Sequence, residues 1–528
     1  MRRFLLGLGL LAAAAAFAAP LRPPDPELGR RIYRDGILPS GRPLQTACAS
    51  CHRRSGFGGS EGGVYVPPVT GPALFQPERL VRADLFRELY QLVQPESYRA
   101  RVRDPRVRPG YTVATLATAL REGRDPAGRR LDALMPRYPI QDADVAHLAA
   151  YLETLSAAPA PGVDGSAIHF ATVITEGVDP GRRKALLDVL EGYVRWKNAE
   201  TRHSAGRLGS SPWYRDEFFG SYREWRLHVW DLRGPAETWP AQLAALYRAR
   251  PVFAVLSGTG AGSWRPLHEF CEKTELPCLF PDTDLPVVSP AGAYTLYLSK
   301  GLTVEAQALA RFLAEEPPRR LLQVYRDVDE GREPAKVLRQ ALPKGIQLID
   351  RVVAADQERT FWDDLIRRTR PDTLVLWLTP GDTASDALGR VRQVFLSHSL
   401  LGEEIPTELR GKVLLTSRYR LPGHEEPLAY RVRAWMRSRR IERTHERLQL
   451  NAYFALSVVD HSLVHVVENF SRDFLIESVE EETENALSPG VFPSLSLGPG
   501  QRFASQGSYV VKLSEKGELE PMSGWIVP

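Results

Sequence analysis

Apolar residues follow two different rhythms along this chain, and the change of rhythm is the first guide to its architecture. Up to about residue 156 they recur at helical spacing. In 143–155, Val145, Leu148, Tyr151, Leu152 and Leu155 share one face of a 3.6-residue repeat. The same spacing predicts helices over 27–35, 80–92 and 113–121, while the Gly-rich run 53–63 reads as a mobile loop. From 168 onward short apolar runs alternate with amphipathic stretches. Strands are predicted over 168–175, 226–232, 252–257 and 278–280, with helices over 182–196, 240–248 and 264–273 between them. An irregular stretch at 283–302 interrupts the pattern. It restarts with a helix over 304–314 and strands over 320–325, 347–352, 373–378 and 412–417. A long helix over 448–467 precedes a hairpin over 509–526. Such alternation predicts parallel sheets covered by helices, and its two runs predict two lobes.

The rhythms meet at Ser156-Ala157-Ala158-Pro159-Ala160-Pro161-Gly162, a small-residue and proline stretch typical of a linker. A length of 528 residues is too great for one ordinary domain, and 43% hydrophobic with 25% charged residues is a globular composition. The predicted organisation is a signal peptide over 1–18, an all-α domain over 19–157, a linker over 158–166 and a two-lobed α/β domain over 167–528. Arg2 and Arg3, the apolar core after them and Ala16-Phe17-Ala18 make the export signal and its cleavage site. The expected location is the periplasm, with no membrane span once the signal is cut. Between residues 19 and 160 there are 20 Arg, no Lys and 15 acidic residues, a basic balance suited to an acidic redox partner. No dense basic patch with interleaved aromatics occurs, which argues against nucleic acid.

The chemistry concentrates at Cys48-Ala49-Ser50-Cys51-His52. C-x-x-C-H is the attachment pattern of c-type haem: two thiols one helical turn apart reach two vinyl groups, and the next His lies under the iron. A redox pair or half a zinc site are the alternatives. Zinc wants about four ligands, and the next cysteine is Cys271. Met135 is the sole methionine between Met1 and Met436, so it is the one thioether this region can offer an iron, and Pro136 stiffens its loop. Cys271 and Cys278 flank the end of a predicted helix, where an oxidising compartment favours a short-loop disulfide over two buried thiols. His461 and His465 share a helical face, but no third ligand follows, so an ordinary half-buried helix is the simpler reading. His147 reads as solvated, and the Arg-rich run 431–447 as a solvated helical face.

Beyond that motif, Gly29-Arg30-Arg31-Ile32-Tyr33, Gly71-Pro72-Ala73-Leu74, Leu134-Met135-Pro136-Arg137-Tyr138-Pro139 and Leu148-Ala149-Ala150-Tyr151-Leu152 make residues 26–155 resemble a class I cytochrome c. The resemblance implies one covalent haem c on Cys48 and Cys51, with His52 as proximal and Met135 as distal ligand. It also implies that the Pro72 carbonyl accepts from the second ring nitrogen of His52. Such a module carries single electrons to or from a periplasmic dehydrogenase or another cytochrome. It departs from compact members of that family in its long segment over 53–109.

From Ala167 onward, Pro251-Val252-Phe253-Ala254-Val255-Leu256-Ser257-Gly258, Leu276-Pro277-Cys278-Leu279-Phe280-Pro281 and Leu322-Gln323-Val324-Tyr325-Arg326-Asp327 resemble the type I periplasmic solute-binding proteins, the branched-chain amino-acid receptors above all. That resemblance implies a cleft at the carboxyl ends of the strands, lined by Ser257, Thr259, Ser263, Asp282 and Thr283, with Asp327 and Asp382 on the second lobe. Two functions are expected from this combination, neither of them enzymatic. One is an electron carrier, alone or as part of a dehydrogenase complex, whose second module binds a small ligand or docks the redox partner. The alternative is a solute receptor or sensor of the ABC-transporter type in which the haem is regulatory or structural.

Overall fold

The computed structural model of the chain describes residues 23–61, 63–77, 108–208, 223–289, 292–354, 359–380, 388–403, 405–421, 427–466, 469–485 and 490–528. The expected signal peptide, the helix predicted over 80–92 and Asp382 lie outside them. Contacts divide the chain into two compact units, Met1–Ala157 and Ala158–Pro528. Among the described residues no helix is long and apolar enough to cross a membrane.

The small unit is built on two crossing helices, α1 (Pro26–Asp35) and the later Asp142–Thr154. Asp25 caps α1 by accepting the Glu27 N–H, and Gly36 closes it in the left-handed region. The crossing explains Gly29. A Cβ there would lie 2.0 Å from the His147 carbonyl oxygen, so only glycine lets the backbones approach. Ile32, Tyr33, Val145, Leu148 and Leu152 fill the seam with Leu116 and Leu120. Between them come α2 (Ala49–His52), strands β1 (Gly59–Glu61) and β2 (Val64–Val66), α3 (Gly71–Phe75) and α4 (Val113–Glu122), which makes Asp142–Thr154 α5. The strands correct the sequence reading on one point. The Gly-rich run is partly an antiparallel hairpin, so the unit is helical but not all-α.

The large unit holds two sheets. In the first lobe β3 (Ala167–Thr175), β4 (Glu224–Leu232), β5 (Ala254–Leu256), β6 (Cys278–Leu279) and β7 (Thr295–Ser299) pair in parallel in the order β4-β3-β5-β6-β7. Helices α6 (Pro180–Leu208), α7 (Trp239–Ala249) and α8 (Arg265–Lys273) connect them. Cys271 and Cys278, at the end of α8 and the start of β6, are joined by a disulfide inside the core. In the second lobe β8 (Arg320–Arg326), β9 (Gln347–Val353), β10 (Thr373–Trp377), β11 (Gln393–Ser397) and β12 (Leu414–Ser417) repeat that order as β9-β8-β10-β11-β12. Around them run α9 (Leu302–Glu315), α10 (Asp329–Ala341), α11 (Arg359–Thr369) and α12 (His398–Leu401).

The chain crosses between the lobes three times. It leaves the first after β7 and returns after β12, where α13 (Pro427–Ser438), α14 (Glu446–Val466) and α15 (Arg472–Asn485) follow. Val432, Met436, Phe454, Val459 and Leu475 of these helices pack with Phe170, Leu186 and Phe280. Strand β13 (Phe503–Ser505) then adds to β7, and β14 (Tyr509–Leu513) joins β12, ending in the hairpin with β15 (Leu519–Pro521). The sequence pattern leaves 283–302 irregular, yet β7 forms there, because its Thr and Ser are buried between two parallel partners that only the folded chain supplies.

Candidate functional site

In the small unit the four-residue helix α2 carries Ser50, Cys51 and His52, with Cys48 at its amino end. Both cysteines are half-buried and carry free thiols. Burial pushes the Cys48 thiol up to about 12, so it stays protonated at neutral pH. The Tyr33 hydroxyl donates to the carbonyl of Arg53 at 2.7 Å and so fastens the end of the turn to α1. His52 is buried, which lowers its pKa and keeps the ring neutral. Its Nδ1 is 2.9 Å from the carbonyl oxygen of Pro67. This corrects the expected partner: Pro72 lies in the first turn of α3, while the chain leaving β2 brings Pro67 to the ring. A neutral imidazole with Nδ1 held by a carbonyl is the state in which Nε2 can ligate a metal. Met135 is half-buried against the cluster that also contacts Cys48. Its loop is tied to the approach to α2 by Tyr138, whose hydroxyl donates to the Thr46 carbonyl at 3.1 Å. Burial and the nearby Cys48 and Cys51 sulfurs push Tyr138 up to about 12. The residues present therefore suit a covalently attached haem. His147 is structural: its Nδ1 accepts the N–H of Asp25 at 2.7 Å.

In the large unit a cavity of about 460 Å³ opens between the lobes, at the carboxyl ends of β6, β7, β11 and β12. Its centre is Arg418, which follows β12 and is 5% exposed. One arm donates to Ser299 Oγ at 3.1 Å and another pairs with Asp284, both on the first lobe. Behind it lies Glu305 of α9, wholly buried, which accepts from the hydroxyls of Ser397, Ser399 and Thr416. Burial raises the Glu305 pKa, and the Arg418 charge works against that rise. On the opposite wall Arg182 of α6 pairs with Asp282 and donates from Nε to Thr259 Oγ1 at 3.0 Å. At the mouth the Glu403 carboxylate accepts the N–H groups of Glu446 and Arg447 at 3.0 and 2.8 Å, capping α14 from across the gap. The Arg447 guanidinium lies 4.1 Å from the centre of the Tyr419 ring and donates to His398 Nε2 at 2.8 Å.

Of the cleft residues expected from the sequence, Asp282 and Thr283 line this cavity, and Ser257, Thr259 and Ser263 do not. The reason lies in the backbone after β5. Ser257 and Gly258 take φ of 53° and 103°, and Thr259 forms bridges with Ile174 and Asp282 that draw the segment into the sheet. Ser263 caps the Arg265 N–H, and Asp327 pairs with Arg332 at 3.1 Å. Arg182, Glu305, Glu403, Arg418 and Arg447 were not among the candidates. A lone Glu305 between Val304 and Ala306 on an apolar helix was the one available signal. His465 Nε2 lies 3.1 Å from Glu482, and no group of three metal-binding side chains occurs among the described residues.

No protein-family model matches the sequence, and no curated protein matches it. Solved structures do match. The chain is similar to a branched-chain amino-acid ABC transporter protein of Thermus thermophilus with bound valine, at TM-score 0.54 and 13% identity, over 69% of this chain and 98% of that one. It is also similar to an ABC transporter substrate-binding protein of Aeropyrum pernix, at TM-score 0.50 and 15% identity, over 69% and 97%. The large unit thus has the two-lobed α/β fold of periplasmic binding proteins.

Proposed function

We propose that this chain is an extracytoplasmic solute receptor whose large unit closes its lobes around a small molecule. The observation that carries the reading is the cavity between the lobes, walled by charged side chains from both. Its volume of about 460 Å³ falls within the usual range of small-molecule sites. Lobes joined by three crossing segments and a few polar side-chain contacts can hinge, and a ligand touching Arg182 on one side and Arg418 on the other would favour the closed arrangement. The test is a melting screen of the full chain against amino acids, organic acids, amines and neutral sugars. A true ligand at a hundred times its Kd adds about 2.7 kcal/mol of stability and a clear rise in Tm. A screen in which no class moves the midpoint overturns the reading.

A second reading concerns the small unit and rests on the free thiols of Cys48 and Cys51, the anchored ring of His52 and the tethered loop of Met135. These residues would hold one c-type haem, with His52 and Met135 as its axial ligands. Such a group supplies one-electron chemistry, and a thioether ligand favours the reduced iron. With both axial positions taken, the unit would pass electrons to a redox partner or serve as a regulatory or structural element. Material matured in the periplasm should be red, keep its colour through denaturing electrophoresis and lose it in Cys48→Ser/Cys51→Ser. Met135→Ala should abolish the weak near-infrared band of sulfur on ferric iron. Colourless mature protein overturns this reading and leaves the receptor reading untouched.

A further inference from the structure

We propose that the interlobe cavity takes an organic carboxylate with an apolar body and no ammonium group; this rests on the receptor reading and narrows it to a ligand class. The argument is a charge inventory of the walls. Three arginines and three carboxylates line the cavity. Two of the carboxylates are held in ion pairs, Asp282 with Arg182 and Asp284 with Arg418. The third, Glu403, has both oxygens on the backbone N–H groups at the start of α14. Arg447 is different. Among the described residues the one polar partner of its guanidinium is Nε2 of His398, beside the face of the Tyr419 ring.

His398 cannot offset that charge. It is buried, and burial together with Arg447 and Arg418 pushes its pKa well below the ordinary histidine value. Its Nδ1 lies 2.7 Å from Ser417 Oγ, so the neutral ring donates there and accepts from Arg447. The guanidinium has five N–H donors, and His398 occupies one of them. The lining charges balance in number, but the Arg447 guanidinium is the one arginine of the three with no described carboxylate at ion-pair distance, and its remaining N–H donors are left for a ligand.

Asn451 and Arg418 also line the cavity and are almost wholly buried, so the wall on that side is polar and fixed. Leu298, Leu401, Leu448 and Phe492 supply apolar wall for the ligand body. An ammonium group would need a carboxylate of its own, but these are already engaged, and it would be desolvated beside guanidinium groups.

The experiment is titration calorimetry on the full chain with two matched triplets: 4-methylpentanoate, leucine and 3-methylbutylamine, then 3-phenylpropanoate, phenylalanine and 2-phenylethylamine. The expected order is carboxylate at least tenfold tighter than amino acid, with no binding of the amine. Arg447→Gln should weaken the carboxylate by roughly ten- to a hundredfold, the usual value of a charged hydrogen bond. Arg447→Lys should recover part of that loss, and Arg265→Gln, exposed on α8, should change nothing. The melting temperature of ligand-free Arg447→Gln separates a binding defect from a folding defect. Amino acids binding as tightly as their deaminated partners, or either amine binding, overturns the proposal and leaves the receptor reading standing. Failure of all six while a neutral sugar from the screen binds overturns it in the same way. If every class fails, both fall together.

Discussion

In the small unit the polar side chains around the Cys–Cys–His turn hold backbone atoms: Tyr33 the Arg53 carbonyl, His52 the Pro67 carbonyl and Tyr138 the Thr46 carbonyl. In the large unit the buried polar side chains centred on Arg418 hold one another, as Arg418 does Asp284 and Ser299, or Glu305 the hydroxyls of Ser397 and Thr416. The two arrangements fail differently. A bond to backbone survives most substitutions of its neighbours and depends on the chain path. A bond between two side chains is lost with either one, and in a buried network the survivor is left charged and unpaired.

The strongest way to break the contrast is Arg418→Met. It leaves Glu305 and Asp284 without their common cation and should cost the large unit about 3–5 kcal/mol, read as a lower urea midpoint of the full chain. An unchanged midpoint would remove Arg418 from the centre of the network. Next comes Gly29→Val, which probes the chain path of the small unit. A side chain driven into the His147 carbonyl should cost about 1–3 kcal/mol, seen as an early loss of helical circular dichroism on heating. If it is tolerated, the helices are not in close contact.

Acidification sharpens the contrast from the other side. His398 is held neutral in the fold, whereas the unfolded chain takes up a proton near the ordinary value of 6.5. Stability from this group is therefore full above that value and is lost as pH falls through it, by about 1.4 kcal/mol per pH unit until the folded ring itself titrates. His398→Gln should show a shallower slope by that amount over the same range, and equal slopes would reject the assignment. The smallest effect expected is that of Tyr33→Phe, about 1 kcal/mol for one neutral hydrogen bond to backbone, measured in the same melts.

The same contrast decides what the sequence could reveal. The Cys48–His52 turn, the lone Met135 and the helical faces of α1, α4 and α5 are patterns within a few residues, so they are legible in one chain. The two-lobed α/β fold is legible too, since strands such as β5 and β10 lie in short apolar runs that alternate with amphipathic helices. Strand β7 is not, because its Thr and Ser acquire their meaning from sheet neighbours. The carbonyl opposite His52 is not either: Pro67, Pro68 and Pro72 are equivalent in a string of letters, and the β1–β2 hairpin chooses among them. Arg418 is the extreme case, an arginine among many until its partner Ser299 is brought in from 119 positions away.

The first lobe is finished by the last part of the chain. Its sheet gains an edge strand at Phe503–Ser505, and its core contains Phe454, Val459 and Leu475. A growing polypeptide emerging residue by residue thus cannot complete either half early, and must remain loosely organised until nearly all of it has been made. Prematurely terminated copies would expose the apolar bed of α14 and α15, an open invitation to proteases, so translational fidelity near the end matters as much to this lobe as the letters at its beginning.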